Sequence, residues 1–161
     1  MSKIIDFIQY RIQHYNPNKY WKYRLYLQNK NNNKIIRFIR LFYIKKCDAF
    51  NCASTGASMD EIALFKDKAS LPHGLNGIIV SRYAIIGSNV KIYQQVTIGQ
   101  NEKGEAPIIG NDVIIYPGAR IIGNVKIGNN IIVGTNSVVT HDIPDNSVVA
   151  GVPAKVIKKR K

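Results

Sequence analysis

GIIVSRYAIIGSNVKIYQQVTIG, residues 77–99, and IIGNDVIIYPGARIIGNVKIGNNIIVGTNSVV, residues 108–139, carry Ile or Val at every sixth position. These are Val80, Ile86, Ile92 and Ile98, then Ile109, Ile115, Ile121, Ile127, Val133 and Val139. A period of six is the spacing of short strands joined by corners, three strands to a triangular coil. Four residues after these positions stand Ala84, Val90, Val96, Val113, Ala119, Val125, Ile131 and Ser137, small or β-branched, as the narrow part of a triangle requires. Gly and the asparagines Asn89, Asn111, Asn124, Asn129 and Asn130 suit the positive φ of tight corners. The pattern predicts a column of aliphatic residues, with Val80 under Ile98 and Ile115 under Val133. Its one break, from Ile98 to Ile109, contains residues 100–107 and predicts a loop extruded from the coil, the kind of place where function sits.

A β-helix has flat walls and open ends, so it tends to be capped and to oligomerise. Ile85, Ile108, Ile114, Ile122 and Ile132 fall at outward positions that a solvated wall does not need. A packed homo-oligomer explains them, and a cyclic trimer suits a triangular prism.

Working outward, residues 1–46 change character. Apolar residues there recur at helical spacing (Ile4, Ile5, Ile8, Ile12; Ile35, Ile36, Ile39, Phe42, Tyr43), interrupted at Asn16-Pro17-Asn18 and over residues 28–34. The division expected is a basic helical region 1–46, an irregular linker or first turn 47–72, a β-helix 73–154 and a basic tail 155–161. With 161 residues the chain holds one domain with a sizeable core. Its net charge of +13 is lopsided: residues 1–46 hold eleven Lys and Arg against Asp6 alone. Interleaved with Tyr10, Tyr15, Tyr20, Tyr23, Tyr26, Tyr43 and Trp21, these bases fit peripheral contact with an anionic membrane face. They equally fit aromatics packed on the β-helix with the bases turned to water, and a nucleic-acid partner is not expected. No apolar run spans a bilayer and no signal peptide opens the sequence, which reads as cytoplasmic. Cys47 and Cys52 form neither a disulfide framework nor a zinc motif.

LPHGLNGIIVSRYAIIGSNVKIYQQVTIGQ (71–100) and DIPDNSVVAGVPAKVI (142–157) together resemble the hexapeptide-repeat acyltransferases, in particular the serine-acetyltransferase-like branch. The short basic N-terminal region and the KGEAP loop look more like the O-acetyltransferases of capsule and exopolysaccharide pathways. The resemblance implies a mainly β fold, a left-handed parallel β-helix behind a short helical region. It also implies a homotrimer with acetyl-CoA between subunits and no metal. On this alignment His73 is the general base, since imidazole titrates near neutrality and can take a hydroxyl proton. Relatives place an orienting acid fifteen residues earlier, where this chain has Ser58; nearby Asp60, or after it Glu61, is expected to take that role, unless a backbone carbonyl holds the ring. The pantetheine is expected along Gly99, Gln100, Tyr116, Pro117, Gly118, Gly134 and Thr135, with Lys155 towards the phosphates.

Serine recognition in the family uses an acid before the histidine and an Arg-His pair in the loop, and these positions hold Pro72, Glu105 and Ala106. The expected acceptor is therefore a sugar hydroxyl, on a small molecule or a lipid-linked glycan, with L-serine and a sugar amine as alternatives. A β-helical zinc enzyme needs three convergent histidines, and this half of the chain has only His73 and His141. A noncatalytic β-helical scaffold needs neither a corner histidine nor an extruded loop.

Overall fold

The computed structural model describes residues 10–12 and 14–160. Helices α1 (Pro17–Gln28) and α2 (Lys34–Phe50) precede thirteen short strands that wind around a triangular, left-handed β-helix. Face 1 stacks β1 (Leu64–Phe65), β3 (Ile85–Ile86), β6 (Ile108–Ile109) and β9 (Lys126–Ile127). Face 2 stacks β4 (Lys91–Ile92), β7 (Ile114–Ile115), β10 (Ile132–Val133), β12 (Ser147–Gly151) and β13 (Ala154–Lys159). Face 3 stacks β2 (Ile79–Val80), β5 (Thr97–Gly99), β8 (Arg120–Ile122) and β11 (Val138–Val139). Every pairing between coils is parallel, in a register that sets Val80 on Ile98, Ile98 on Ile121 and Ile115 on Val133. The column is closed off from the surface: Ile86, Ile98, Ile115, Ile121 and Val133 are fully buried, as are the small partners Ala84, Val96 and Ala119. The outward expectation also holds, with Ile85 and Ile108 exposed and Ile114, Ile122 and Ile132 half-buried.

Corners are fixed by two devices. Between faces 1 and 2, Asn89, Asp112, Asn130 and Asn146 take positive φ in successive coils. Between faces 2 and 3, Gly77, Gln95, Gly118 and Asn136 do the same. Asn111, Asn124 and Asn129, expected in that conformation, are not among the positive-φ residues. Asn111 and Asn129 build a ladder instead: Ser88 N–H donates to Asn111 Oδ1 (2.9 Å), Asn111 N–H to Asn129 Oδ1 (2.9 Å) and Asn129 N–H to Asp145 Oδ1 (2.7 Å). Beside the ladder the coils approach so closely that a Cβ on Gly110 would lie 2.6 Å from Gly128 O.

Both ends are closed. The stretch expected as an irregular linker or first turn at 47–72 continues α2 to Phe50 and then lays down a full first coil, as the second of these readings has it. In it Ser54 bridges to Ile79, Leu64 and Phe65 pair with Ile85 and Ile86, and Ser70 bridges to Lys91. The helices sit on that coil. Gln28 satisfies the open edge of β1 with both halves of its amide, Nε2 donating to Phe65 O (3.0 Å) and Oε1 accepting from Phe65 N–H (2.7 Å). Trp21 packs edge-on against Phe65 with ring centroids 5.1 Å apart. Arg24 lies over the same ring and donates to Ala63 O (3.1 Å), while Arg37 donates to Met59 O (2.8 Å). Buried Tyr15, Tyr20 and Trp21 thus match the packing reading of the aromatics; buried Arg24 and Arg37 depart from its expectation that the bases face water. At the far end, residues 155–159 of the expected basic tail belong to β13, antiparallel to β12. Ile4, Ile5 and Ile8 lie outside the described residues.

The glycine contact gives a test. Gly110→Ala must push two backbones apart and is expected to destabilise the fold by about 1–3 kcal/mol, as overpacking does, read as a lower denaturant midpoint without change in slope. An unaltered midpoint would mean that the coils are not this closely stacked.

Candidate active site

His73 stands in the corner between faces 2 and 3 of the first coil, after Ser70 and before β2. Gly74 and Gly77, both at positive φ, shape this corner and leave the imidazole exposed. One coil on, the same corner carries Tyr93 and Gln94, because the register repeats. Gln94 Oε1 lies 2.7 Å from His73 Nδ1. An amide oxygen only accepts, so the tautomer it holds carries its proton on Nδ1 and leaves the Nε2 lone pair for another partner. Tyr93 meets the imidazole edge-on at 5.7 Å and stacks on Tyr116 of the following coil at 5.2 Å.

Within the chain, Asp60 is not brought to His73. It is the exposed tip of a turn between Ser54 and β1, at the corner between faces 3 and 1. Backbone hydrogen bonds fix that turn: Ser58 N–H donates to Glu61 O (3.0 Å), and Glu61 N–H donates to Ser58 Oγ (3.0 Å). The side chain holding His73 is thus a neutral amide twenty-one residues downstream, not a carboxylate thirteen residues upstream. Periodicity could have found it: Gln94 follows Ile92 in the coil that stacks on the histidine corner.

The positions expected along acetyl-CoA divide between two corners. Tyr116, Pro117, Gly118, Gly134 and Thr135 follow β7 and β10 on the His73 corner, and Lys155 pairs with Ala150 at the last edge of face 2. Gly99 and Gln100 lie at the corner between faces 3 and 1, where Gln100 Oε1 accepts from Ser81 Oγ (2.8 Å). There Gln100 helps line a cavity of about 200 Å³ with Lys45, Ser58, Ser81 and Arg82. The extruded loop is knit to itself, with Asn101 Oδ1 accepting from the Lys103 and Glu105 N–H groups, both at 3.0 Å. Glu105 is held by Asn101 Nδ2 (2.8 Å) and Asn124 Nδ2 (3.4 Å). His141 follows β11 at the corner between faces 3 and 1, away from His73. Cys47 and Cys52 are free, and burial pushes the Cys47 thiol up, away from the reactive thiolate.

The sequence and the fold both have relatives among known proteins. Residues 106–141 match the bacterial transferase hexapeptide family (six repeats). The chain is 36% identical over 106 residues to a serine acetyltransferase of Bacillus subtilis (strain 168), covering 64% of this chain and 48% of that one. A serine acetyltransferase structure from Neisseria gonorrhoeae superposes with a TM-score of 0.66 at 29% identity, over 86% of this chain and 50% of that one. One from Brucella abortus strain S19, in complex with coenzyme A, gives 0.68 at 27% identity over 80% and 50%. The chain therefore spans about half the length of the relatives it matches. These relatives support the serine-acetyltransferase branch of the resemblance, and add nothing to the likeness with capsule enzymes.

The Gln94 contact predicts a tautomer. Neutral His73 is expected to carry its proton on Nδ1 in ¹⁵N NMR spectra, and Gln94→Leu to move it towards Nε2. An Nε2-protonated ring in the unaltered protein would remove Gln94 from the site.

Proposed function

We propose that the protein is an acetyl-CoA-dependent O-acetyltransferase with His73 as general base. The observation that carries this is the His73–Gln94 contact, which supports a fixed ring with a free Nε2 on an open corner. In the proposed reaction Nε2 takes the proton of the acceptor hydroxyl as that oxygen attacks the thioester carbonyl. The C–S bond then breaks, and the imidazolium returns the proton to the departing thiolate, giving an acetyl ester and free CoA. The pantetheine would run past Tyr93, Tyr116, Gly134 and Thr135, with Lys155 nearer the phosphates. Gly99 and Gln100, on another corner of the same chain, would come from a neighbouring subunit, which is the reason to propose a cyclic homotrimer.

L-serine is the acceptor that the relatives favour, and it ranks first. A sugar hydroxyl is kept as a second reading on a specific observation: Pro72, Glu105 and Ala106 stand where serine recognition in the family uses an acid, an arginine and a histidine. Glu105, whose carboxylate is held by Asn101 and Asn124, cannot pair with the carboxylate of an amino acid.

Two measurements follow. His73→Ala should lose acetyl transfer by roughly 10²- to 10⁴-fold, the usual contribution of a positioned base. Turnover near that of the unaltered enzyme would exclude His73. Thiol release from acetyl-CoA, followed with L-serine and with a panel of sugars and nucleotide sugars, separates the acceptors. A serine-dependent rate on the order of 10 s⁻¹ establishes the first reading. Release that only the sugars accelerate establishes the second.

A further inference from the structure

Helix α2 is turned inside out. Arg37, Ile44, Cys47 and Asp48 face inward, Asp48 accepting from Tyr20 Oη (2.7 Å), the Thr55 N–H (3.1 Å) and Thr55 Oγ1 (3.1 Å). The outward stripe is Ile35, Phe38, Ile39 and Phe42, spaced i, i+3, i+4, i+7, with exposures of 71%, 62%, 60% and 69%. Phe50, farther along the helix, is not part of it, since its ring stacks on His14 with centroids 3.8 Å apart. An apolar helix face of this size, pointing away from the core it is anchored to, marks a contact surface.

Charge identifies what it meets. Lys34, Lys45 and Lys46 border the stripe and are exposed. The helix's only acid is Asp48, and that is the buried one. No exposed acid on α2 could answer the lysines of a second copy docked face to face, so such a pairing would set like charges together. A surface of lipid phosphates with apolar chains beneath answers both features.

We propose that α2 is an interfacial helix that seats the protein on an anionic membrane, with Ile35, Phe38, Ile39 and Phe42 entering the headgroup boundary and the three lysines meeting lipid phosphates. The helix lies in the plane of the surface; among the described residues, no helix is long and apolar enough to cross a membrane. Gln28, Arg24 and Arg37 fasten the helical pair to the first coil, so the whole β-helix is carried to the surface with it. The inference is independent of which acceptor is used.

Co-sedimentation of the full chain with vesicles of phosphatidylcholine plus phosphatidylglycerol, against phosphatidylcholine alone, tests it. Three lysines near an anionic surface raise partition by roughly 10²-fold, an advantage that salt should erode. The double variant Phe38→Glu, Phe42→Glu is expected to stay in the supernatant with an unchanged circular dichroism spectrum and melting temperature. Lys45→Gln, Lys46→Gln should weaken binding while leaving the apolar stripe intact. Equal binding to both vesicle types, or none, overturns the proposal. So does a Phe variant whose only change is a smaller assembly by light scattering, which would make the face a contact between copies.

Discussion

The stacking of each inward aliphatic residue on its counterpart one coil on is the interaction from which the rest of this architecture follows. Parallel strands of two or three residues have no stability of their own, and each coil finds its hydrogen-bond partners and its apolar neighbours only in the coils above and below. Burial of Ile98 between Val80 and Ile121 therefore depends on an unbroken register. The glycine approach and the asparagine ladder keep that register by setting the spacing of the corners. The cost falls at the ends, where an unpaired coil exposes both its edge and its column. Here α1 and α2 close one end and β13 the other.

This periodicity also makes the site. A position at a corner is repeated one coil later, so His73 acquires Gln94 and Tyr93 as neighbours without any loop having to fold back to supply them. Rigidity comes from the column beneath, where Ile92 and Ile115 are buried. The same rule separates groups that lie close in sequence. Asp60 and His73 are thirteen residues apart but occupy different corners, since the intervening chain crosses two faces.

How much of this could be read in advance depends on where the period of six is clean. From Val80 to Val139 the inward column, the outward isoleucines and the extruded loop are all legible. The first coil is not, because its corner at residues 57–62 is widened by the Ser58–Glu61 turn and Ser54 and Ser70 take bridge positions without a strand pattern. Strand β13 is hidden for another reason: its five outer residues, Lys155 to Lys159, are exposed, so it carries no alternation of burial. At the site, His73 stands out by its setting, whereas its partner is not near it in sequence: the coil delivers a glutamine from the next turn, and only the period of six points to it.

The N-terminal helices show what a hydrophobic pattern leaves open. Ile35, Ile39 and Phe42 mark a helix correctly, and by the usual logic the apolar stripe should be the one that packs. In α2 the packed stripe includes an arginine and an aspartate, made tolerable because Arg37 donates to Met59 O and Asp48 is satisfied by Tyr20 and Thr55. Desolvation next to Asp48 pushes the Tyr20 hydroxyl well up, so it stays a neutral donor to that carboxylate. Full burial of each outward Ile or Phe would be worth about 1.5–3 kcal/mol. A helix that forgoes this on its own β-helix, and instead packs a polar stripe there through at least four hydrogen bonds, leaves its apolar face outside that packing. Periodicity reports that a helix has two faces; only the partners of Arg37 and Asp48 reveal which of them the fold uses.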